Sequence, residues 1–492
     1  MTDGSNIITS TRDLLAEAAG LYADDESASA GLARLRTRLE EPLRVALAGR
    51  IKAGKSTLLN AIVGEELAPT DTGECTRVVT WYRHGDIPGV TVVLRDGRRE
   101  RRPVRRTGGR LQLDTGGHPL EDVARIEVTW PSPALATATV IDTPGLASLS
   151  VEISERTTDT LTPGGGGSEV DAVLYLMRHL HSSDAELMEA FREATVGDAS
   201  PVGTLAVLSR ADEIGGGRIE AMVSASEVAA RYGRDTRVRA MALDVIPVAG
   251  LLAQGARTLR QVDFDALREI ARLRPAERED LFISADRFAH LELAHLTVAT
   301  PQLRADLLDR LGFYGVRMGA ALLRGPIVDA TALSRELTRR SGLSRLTDSL
   351  TTQLGHRADL LKTRSALVGL EQVLAAHPRE EAAELVERAE ALRSGDHSAV
   401  ELEWLVRLRR GEAPGLDPAL RDEAERLLGA AGPGLAQRLA HPPDASRDQQ
   451  STAALSARST WRRVGSDPLS EPAVASLARA VIRTLDGALI GL

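Results

Sequence analysis

The feature that most constrains this chain is an eight-residue loop, residues 49–56, that reads Gly-Arg-Ile-Lys-Ala-Gly-Lys-Ser. The apolar run Val45–Ala48 predicts a buried strand before it, and Thr57–Val63 predicts a helix after it. Glycines let the backbone curl so that successive N–H groups face a polyphosphate, and the helix N-terminus adds partial positive charge. In this pattern Lys55 reaches the β- and γ-phosphates and the Ser56 hydroxyl binds Mg²⁺. The sequence therefore predicts a phosphate loop at residues 49–56.

Lysine usage supports a chemical role for this loop. The chain has 61 cationic residues, of which only Lys52, Lys55 and Lys362 are lysines, so 61 − 3 = 58 are arginines. In such a background a lysine is expected where its own shape and chemistry are required. Two of the three lie in the phosphate loop.

A second motif, Asp142-Thr143-Pro144-Gly145, follows the apolar run 138–141. An aspartate there can hold Mg²⁺ through water, and the Gly145 N–H can contact a γ-phosphate. Alone the tetrapeptide is weak evidence, since turns often have this composition. Its position after a predicted strand, in series with the phosphate loop, makes it a candidate part of one site.

Two further segments indicate how a base could be read. In Ser209-Arg210-Ala211-Asp212, Asp212 could pair with the N1 and N2 hydrogens of guanine, two donors that adenine does not present. Residues 245–250 end another predicted strand, where a backbone N–H at Val248 or Ala249 could read the guanine O6. The alternative for Asp212 is a helix-capping aspartate.

A polar loop at residues 69–77 precedes the predicted strand 78–82. A threonine hydroxyl from this loop could close over Mg²⁺, and we choose Thr76. Thr70 and Thr72 are its competitors.

The order of predicted elements indicates two architectures in one chain. Near-continuous apolar runs at 138–141, 172–176 and 205–208 alternate with helical segments, as expected for a mostly parallel sheet in an α/β domain. After about residue 300 the strand signals disappear and leucines recur at helical spacing. Residues 12–41 are also predicted to be helical. We therefore expect an α/β domain and an α-helical bundle.

The ordered motifs, with wide spacing between them, resemble the dynamin superfamily of large GTPases rather than small GTPases. Three segments are similar to bacterial dynamin-like proteins of the actinobacterial isoniazid-inducible group. They are residues 49–57, Thr76-Arg77, and Ser341–Leu343 together with Arg357–Lys362. The resemblance covers most of the chain, and the GTPase motifs are its most specific part.

The resemblance implies a GTPase domain that binds GTP and GDP with Mg²⁺ and dimerises across its nucleotide face. It also implies a helical bundle built from both flanks: N-terminal helices 1–41, GTPase domain 42–298 and bundle 299–492. GTP turnover in this family drives membrane remodelling. A second copy or a second dynamin-like chain and an anionic membrane are the implied partners, and the implied location is the inner face of the cell membrane.

Departures from the family pattern fall at two positions. Animal dynamins have Gln and Ser where this chain has Ile51 and Lys52, and the related guanylate-binding proteins place a catalytic Arg at the position of Lys52. The resemblance therefore gives the hypothesis that Lys52 stabilises the transition state, against the alternative of a solvated loop lysine. Arg210 replaces the usual Lys; its flat guanidinium can still stack on a base, but guanine selectivity is left open.

The candidate residues are grouped by role. The catalytic candidates are Lys52, Lys55 and Thr76, and the metal ligands are Ser56, Thr76 and Asp142. The nucleotide-binding candidates are Gly49, Lys52, Ala53, Gly54, Lys55, Ser56, Thr57, Asp142, Gly145, Ser209, Arg210, Asp212, Val248 and Ala249.

Composition excludes other classes. The net charge of −8 argues against a nucleic-acid partner, and one cysteine, Cys75, suits a reducing compartment. No apolar stretch approaches the ~20 residues that span a bilayer. The arginine-rich residues 95–110 are interpreted as a solvated hairpin that turns at Asp96-Gly97, with binding of anionic lipid as the alternative.

Two readings of the function remain open from the sequence. The first is a GTP-hydrolysing, membrane-remodelling protein. The alternative is a nucleotide-binding partner or scaffold subunit of another dynamin-like chain, favoured by the short helical half. An ATPase is a third possibility.

Overall fold

The structure, a computed structural model, describes residues 4–50, 52–68, 78–107, 110–143, 170–178, 203–395 and 397–491. Its strands are β1 (Leu43–Gly49), β2 (Thr80–His84), β3 (Gly89–Leu94), β4 (Arg99–Arg102), β5 (Arg105–Thr107), β6 (Arg110–Gln112), β7 (Val123–Trp130), β8 (Ala138–Asp142), β9 (Ala172–Met177), β10 (Thr204–Ser209) and β11 (Val245–Val248).

The helices up to residue 290 are α1 (Gly4–Leu21), α2 (Glu26–Glu40), α3 (Lys55–Val63), α4 (Pro133–Thr137), α5 (Ala221–Arg234), α6 (Thr236–Arg239), α7 (Gly250–Arg257), α8 (Gln261–Ala271), α9 (Pro275–Leu281) and α10 (Ala285–His290). Those that follow are α11 (Pro301–Leu322), α12 (Ala330–Arg340), α13 (Leu343–Ser349), α14 (Ala358–Ala376), α15 (Ala383–Gly395), α16 (His397–Arg409), α17 (Pro418–Leu427), α18 (Leu435–Arg438), α19 (Arg447–Ser466) and α20 (Pro472–Gly491).

A nine-stranded sheet in the order β11-β10-β9-β1-β8-β2-β7-β3-β4 forms the centre of the α/β part. Strand β1 pairs in parallel with both β8 and β9, and β10 pairs in parallel with β9 and β11. All residues of β1, β9 and β11 are buried, as their near-continuous apolar sequences predict. The predicted fold class, a mostly parallel α/β sheet with helical flanks, is confirmed.

The other end of the sheet is antiparallel. Strand β3 pairs with β7 and with β4 in this sense. The β3–β4 connection turns at Asp96-Gly97, where Gly97 has a φ of 87° and its N–H donates to the Leu94 carbonyl at 3.0 Å. The predicted arginine-rich hairpin is confirmed at this turn.

A cluster of helices extends the α/β part beyond residue 298. Helices α7, α8, α11 and α12 share one apolar core, which includes Leu252, Leu267, Leu311 and Leu337. Gly255 of α7 packs so closely on α11 that an added Cβ would lie 2.1 Å from the Arg310 carbonyl oxygen. Helices on the two sides of residue 298 therefore pack together, and the division into residues 42–298 and 299–492 stays a prediction.

The N-terminal helices pack with helices from the second half of the chain. Leu14 and Leu32, of α1 and α2, share a core with Leu367 and Leu370 of α14 and with Leu385 of α15. A separate core joins α16, α17, α19 and α20 through residues such as Trp461 and Leu477. The bundle is thus built from both flanks of the chain. In the described residues no helix is long and apolar enough to cross a membrane.

The third lysine lies where these parts meet. Lys362 is buried on α14, and its ammonium donates to the Leu39 carbonyl at 2.9 Å and to the Glu41 carbonyl at 3.4 Å. It therefore caps the C-terminal end of α2, where carbonyl groups have no partner within the helix. Lys362 links the bundle to the chain that enters β1.

Candidate nucleotide-binding site

The phosphate loop begins where β1 ends, at the centre of the sheet. Gly49 has a φ of 143°, and an added Cβ would lie 2.5 Å from the Leu176 carbonyl oxygen of β9. Gly54 has a φ of 95° and precedes the first residue of α3. Lys52, at φ 63°, is one of few non-glycine residues in the left-handed region among those described. A residue with a side chain would not fit this backbone conformation at position 49. The glycine there lets the loop curl as the motif predicts.

Lys55 folds back over this loop from the first turn of α3. Its Nζ donates to the Gly49 carbonyl at 3.1 Å and to the Arg50 carbonyl at 3.4 Å. Burial lowers the pKa of the Lys55 ammonium, although the nearby Asp142 opposes this effect. The oxygens of a polyphosphate bound in the loop would give the buried ammonium an anionic partner and so stabilise its charged form.

Asp142 at the end of β8 reaches the same helix. Its Oδ2 accepts from the Ser56 hydroxyl at 3.3 Å, while its buried Oδ1 has no hydrogen-bond partner among the described residues. The Thr143 hydroxyl donates to the Leu47 carbonyl at 2.7 Å, which fixes the chain after β8 against β1. A carboxylate with one open oxygen beside a hydroxyl is a donor set that suits Mg²⁺. Ser56 and Asp142, two of the predicted metal ligands, thus lie together.

Burial raises the pKa of Asp142 to about 6, with Lys55 and the Ser56 hydroxyl opposing the rise. In the unfolded chain the same group has its ordinary pKa near 3.8. The folded protein therefore binds the proton more tightly, and its stability falls as the pH rises from about 4 to 6. Above pH 6 the buried, charged carboxylate lowers the free energy of unfolding of the metal-free protein by a constant amount.

Replacing Asp142 with asparagine is expected to raise the free energy of unfolding of metal-free protein at pH 8, because the buried charge is removed. The gain should shrink as the pH falls from 6 and vanish near pH 4. Urea unfolding in EDTA across this range measures it. The control is Asp96→Asn, since Arg98 holds the pKa of exposed Asp96 below its ordinary value and no gain is expected there. If the stabilities of the two variants responded equally to pH, the raised pKa assigned to Asp142 would be contradicted.

The predicted base-reading residues follow β10. The Ser209 hydroxyl is buried and donates to the Met177 carbonyl at 3.1 Å, so it joins β10 to β9. Arg210, at φ 52°, pairs with Glu213 at 3.0 Å and donates from Nη2 to the Lys52 carbonyl at 3.4 Å. Arg210 therefore connects this segment to the phosphate loop.

Asp212 lies in the short 3₁₀ turn Ala211–Glu213 and is half-buried. Burial raises the pKa of its carboxyl group, and Arg210 opposes the rise. Its Oδ2 would be 3.5 Å from a Cβ added at Gly312, the residue at which α11 leaves helical geometry with φ 70° and ψ 169°. Gly312 is not among the predicted site residues, although an isolated glycine within a leucine-rich helix is a signal of close approach.

After β11, one of the two backbone N–H groups predicted to read the guanine O6 already has a hydrogen-bond partner. The Ala249 N–H donates to the Ser341 carbonyl at 2.9 Å, so this N–H is already engaged. Gly342, at φ 82°, packs so closely that an added Cβ would lie 2.2 Å from the Pro247 carbonyl oxygen. The Ser341-Gly342 turn between α12 and α13 therefore covers the end of β11. Val248 is buried there as the last residue of the strand.

Several candidates lie outside the described residues. Thr76 and its competitors Thr70 and Thr72 are among them, as is Gly145. Within the described residues, Ala53 and Thr57 flank Gly54 and Ser56 in the phosphate loop and the first turn of α3.

Comparison with known proteins bears on the whole chain. The sequence profile of the dynamin family matches residues 45–208, from β1 to β10. The isoniazid-induced protein IniC of Mycobacterium tuberculosis is 41% identical over 459 residues, which cover 92% of this chain and 91% of that protein. The chain belongs to the dynamin family.

More distant similarities are also found. The isoniazid-induced protein IniA of Mycobacterium tuberculosis is 34% identical over 152 residues, or 29% of this chain and 22% of that protein. A structure from a study of an oligomerised bacterial dynamin pair that senses and tethers membranes aligns with a TM-score of 0.32 at 12% identity. That alignment covers 94% of this chain and 86% of the other.

This bacterial dynamin-like protein thus has the family's GTPase domain, as predicted. The matched range contains the phosphate loop, Thr76 and Asp142 but ends before Ser209. The relationship to IniC, in contrast, extends through the helical flanks. The profile match therefore does not reach the predicted base-reading residues Ser209, Arg210 and Asp212.

Proposed function

We propose that this protein binds and hydrolyses GTP with Mg²⁺. The main support is the geometry of the phosphate loop. There the Lys55 ammonium donates to the Gly49 carbonyl, and the Ser56 hydroxyl lies 3.3 Å from Oδ2 of Asp142. Gly49, Ala53 and Gly54 shape the loop for a polyphosphate, and Lys55 contacts its β- and γ-oxygens. Ser56 and Asp142, with Thr76 from residues 69–77, would hold Mg²⁺, which offsets charge on the phosphates.

Selection of GTP over ATP is assigned to Asp212. Its carboxylate accepts from N1 and N2 of guanine, whereas adenine presents an unprotonated N1 at this position. The bond from Arg210 to the Lys52 carbonyl holds the two loops in register around one nucleotide. Competition of ATP and GTP against a labelled GDP tests this: comparable inhibition by ATP would sink the guanine assignment.

Lys52 is proposed to supply positive charge in the transition state. Its side chain is exposed at the rim of the phosphate loop, and its backbone is held in the left-handed region. Lys52→Ala is expected to lower turnover about 100-fold, the typical effect of removing one such group, with GDP affinity unchanged. Steady-state phosphate release and GDP titration measure the two quantities. Arg101→Ala, which removes another exposed cation far along the sheet, is the matched control. If turnover in Lys52→Ala were unchanged, Lys52 would be a solvated loop lysine without a role in the transition state.

Turnover is proposed to require two copies that meet across their nucleotide faces. Family membership supports this, as does the exposure of Lys52 and Arg210 on one face. Specific activity is then expected to rise with protein concentration and to reach a plateau. A constant rate per mole from nanomolar to micromolar protein would contradict the dimer.

The protein is further proposed to act at the inner face of the cell membrane as a peripheral protein that remodels anionic bilayers. Val328, between α11 and α12, is 77% exposed and provides one apolar contact. Sedimentation with phosphatidylglycerol vesicles, with and without GTP, tests this proposal. Absence of lipid association in every nucleotide state would favour the alternative of a scaffold subunit that supports a second dynamin-like chain.

A further inference from the structure

A cavity of about 520 Å³ lies in the helical part of the molecule, far from the phosphate loop in the sequence. Helices α1, α14, α15 and α16 contribute its lining. Its volume falls within the range of small-molecule sites in proteins. Nothing in the GTPase chemistry uses this cavity, so it requires its own explanation.

The floor of the cavity is apolar. Leu360 and Leu367 lie two turns apart on α14, and Leu402 and Val406 lie one turn apart on α16. Ile7 of α1 closes one side. Each of these pairs faces the same direction because residues four and seven apart share a helix face. The floor would accept an alkyl chain.

The rim of the cavity is cationic. Four arginines line it against two glutamates, Glu403 and Glu412, so the lining carries a net charge of 4 − 2 = +2; the arginines are Arg364, Arg393, Arg407 and Arg410. Both glutamates pair with Arg407, at 4.0 and 3.5 Å, and Arg393 pairs at 3.3 Å with Glu371, which lies outside the lining. Arg410 is exposed and has no ion-pair partner within the described residues. In a chain of net charge −8, such a rim favours an anion.

A buried hydroxyl adds an independent observation. Thr363 lines the cavity from α14, is 1% exposed, and its Oγ1 has no hydrogen-bond partner in the described part of the chain. A buried hydroxyl without a partner costs free energy, because water no longer satisfies it. A polar atom of a bound molecule would satisfy it.

We propose that this cavity binds a single-chain anionic amphiphile, with the alkyl chain on the leucine floor and the carboxylate or phosphate head at the arginine rim. Guanidinium groups bind both head groups through paired hydrogen bonds. A neutral apolar molecule would leave the rim unused, and a purely polar anion would leave the floor in contact with water. The occupant is one free amphiphile, so this site is separate from any contact with a bilayer.

Isothermal titration calorimetry of the full-length protein with decanoate, below its micelle concentration, tests the proposal. Saturable binding is expected, at least tenfold tighter than that of decanol, which has the same chain and no charge. Octanoate should bind about tenfold more weakly than decanoate, since two fewer methylenes are buried. Decyl phosphate in a parallel titration distinguishes the two head groups. Absence of saturable decanoate binding would overturn the proposal.

Two variants separate the site from non-specific uptake. Val406→Trp fills the cavity and should abolish binding, whereas Leu455→Trp, at a residue of α19 that is 51% exposed, should leave it unchanged. The double variant Arg407→Gln with Arg410→Gln keeps the floor intact and should remove the preference for decanoate over decanol. If Val406→Trp does not fold, this double variant still tests whether the cavity is the binding site. An unchanged preference in the double variant would overturn the assignment of the rim.

Discussion

Replacing Lys55 with alanine is expected to weaken binding of GDP and GTP about a thousandfold. The ammonium is the charged donor of the phosphate loop, and two charge-assisted hydrogen bonds to phosphate oxygens account for roughly 4 kcal/mol. Among the described residues, the Lys55 ammonium donates to the carbonyls of Gly49 and Arg50, and burial lowers its pKa. The variant should therefore fold normally. Titration calorimetry with Mg²⁺ measures the loss.

Two comparisons make the Lys55 result interpretable. Lys52→Ala removes the other lysine of the same loop and should keep GDP affinity, because Lys52 is proposed to act in the transition state. Thermal unfolding of Lys55→Ala without nucleotide should match that of the original protein. If Lys55→Ala retained GDP affinity within a few-fold, the phosphate loop would not bind nucleotide as proposed.

Gly49→Ala is expected to destabilise the protein by roughly 3 kcal/mol, the upper range for a single substitution. The new Cβ would lie 2.5 Å from the Leu176 carbonyl oxygen. That carbonyl belongs to β9 at the centre of the sheet, where the backbone cannot move aside without disturbing β1 pairing. The φ of 143° adds strain for any residue with a side chain. Urea unfolding without nucleotide measures the change.

The matched control for this prediction is Gly54→Ala in the same loop. Gly54 has a φ of 95°, but no atom of the described part of the chain lies within 4 Å of its added Cβ. Only backbone strain remains there, about 1–2 kcal/mol. If the two variants were equally destabilised, the close contact of Gly49 with β9 would not be the cause.

The sheet and the phosphate loop could be predicted because their signals are local. Apolar runs buried on both faces identify parallel strands, and the loop between Gly49 and Ser56 has a spacing that phosphate binding requires. The meeting of Ser56 and Asp142 followed from the same logic, since β1 and β8 are parallel neighbours whose carboxyl ends share an edge. The order of the motifs was thus sufficient to predict that Ser56 and Asp142 lie close together.

Features that depend on distant contacts could not be predicted. The bond from the Ala249 N–H to the Ser341 carbonyl joins residues far apart in sequence, and nothing local to residues 245–250 indicates it. The same holds for the approach of Gly312 to Asp212. Helices α11 and α12 have the leucine spacing of bundle helices, but their apolar faces pack on α7 and α8. Periodicity identifies a buried face without identifying what covers it.

The most direct test of the account is titration calorimetry of the full-length protein with GDP, GTP and ATP in the presence of Mg²⁺. One nucleotide per chain is expected to bind with micromolar affinity or better for GDP and GTP, ATP should bind at least tenfold more weakly, and EDTA should weaken GTP binding. If neither guanine nucleotide released or absorbed measurable heat, and equilibrium dialysis also detected no uptake, the assignment of residues 49–56 would be contradicted.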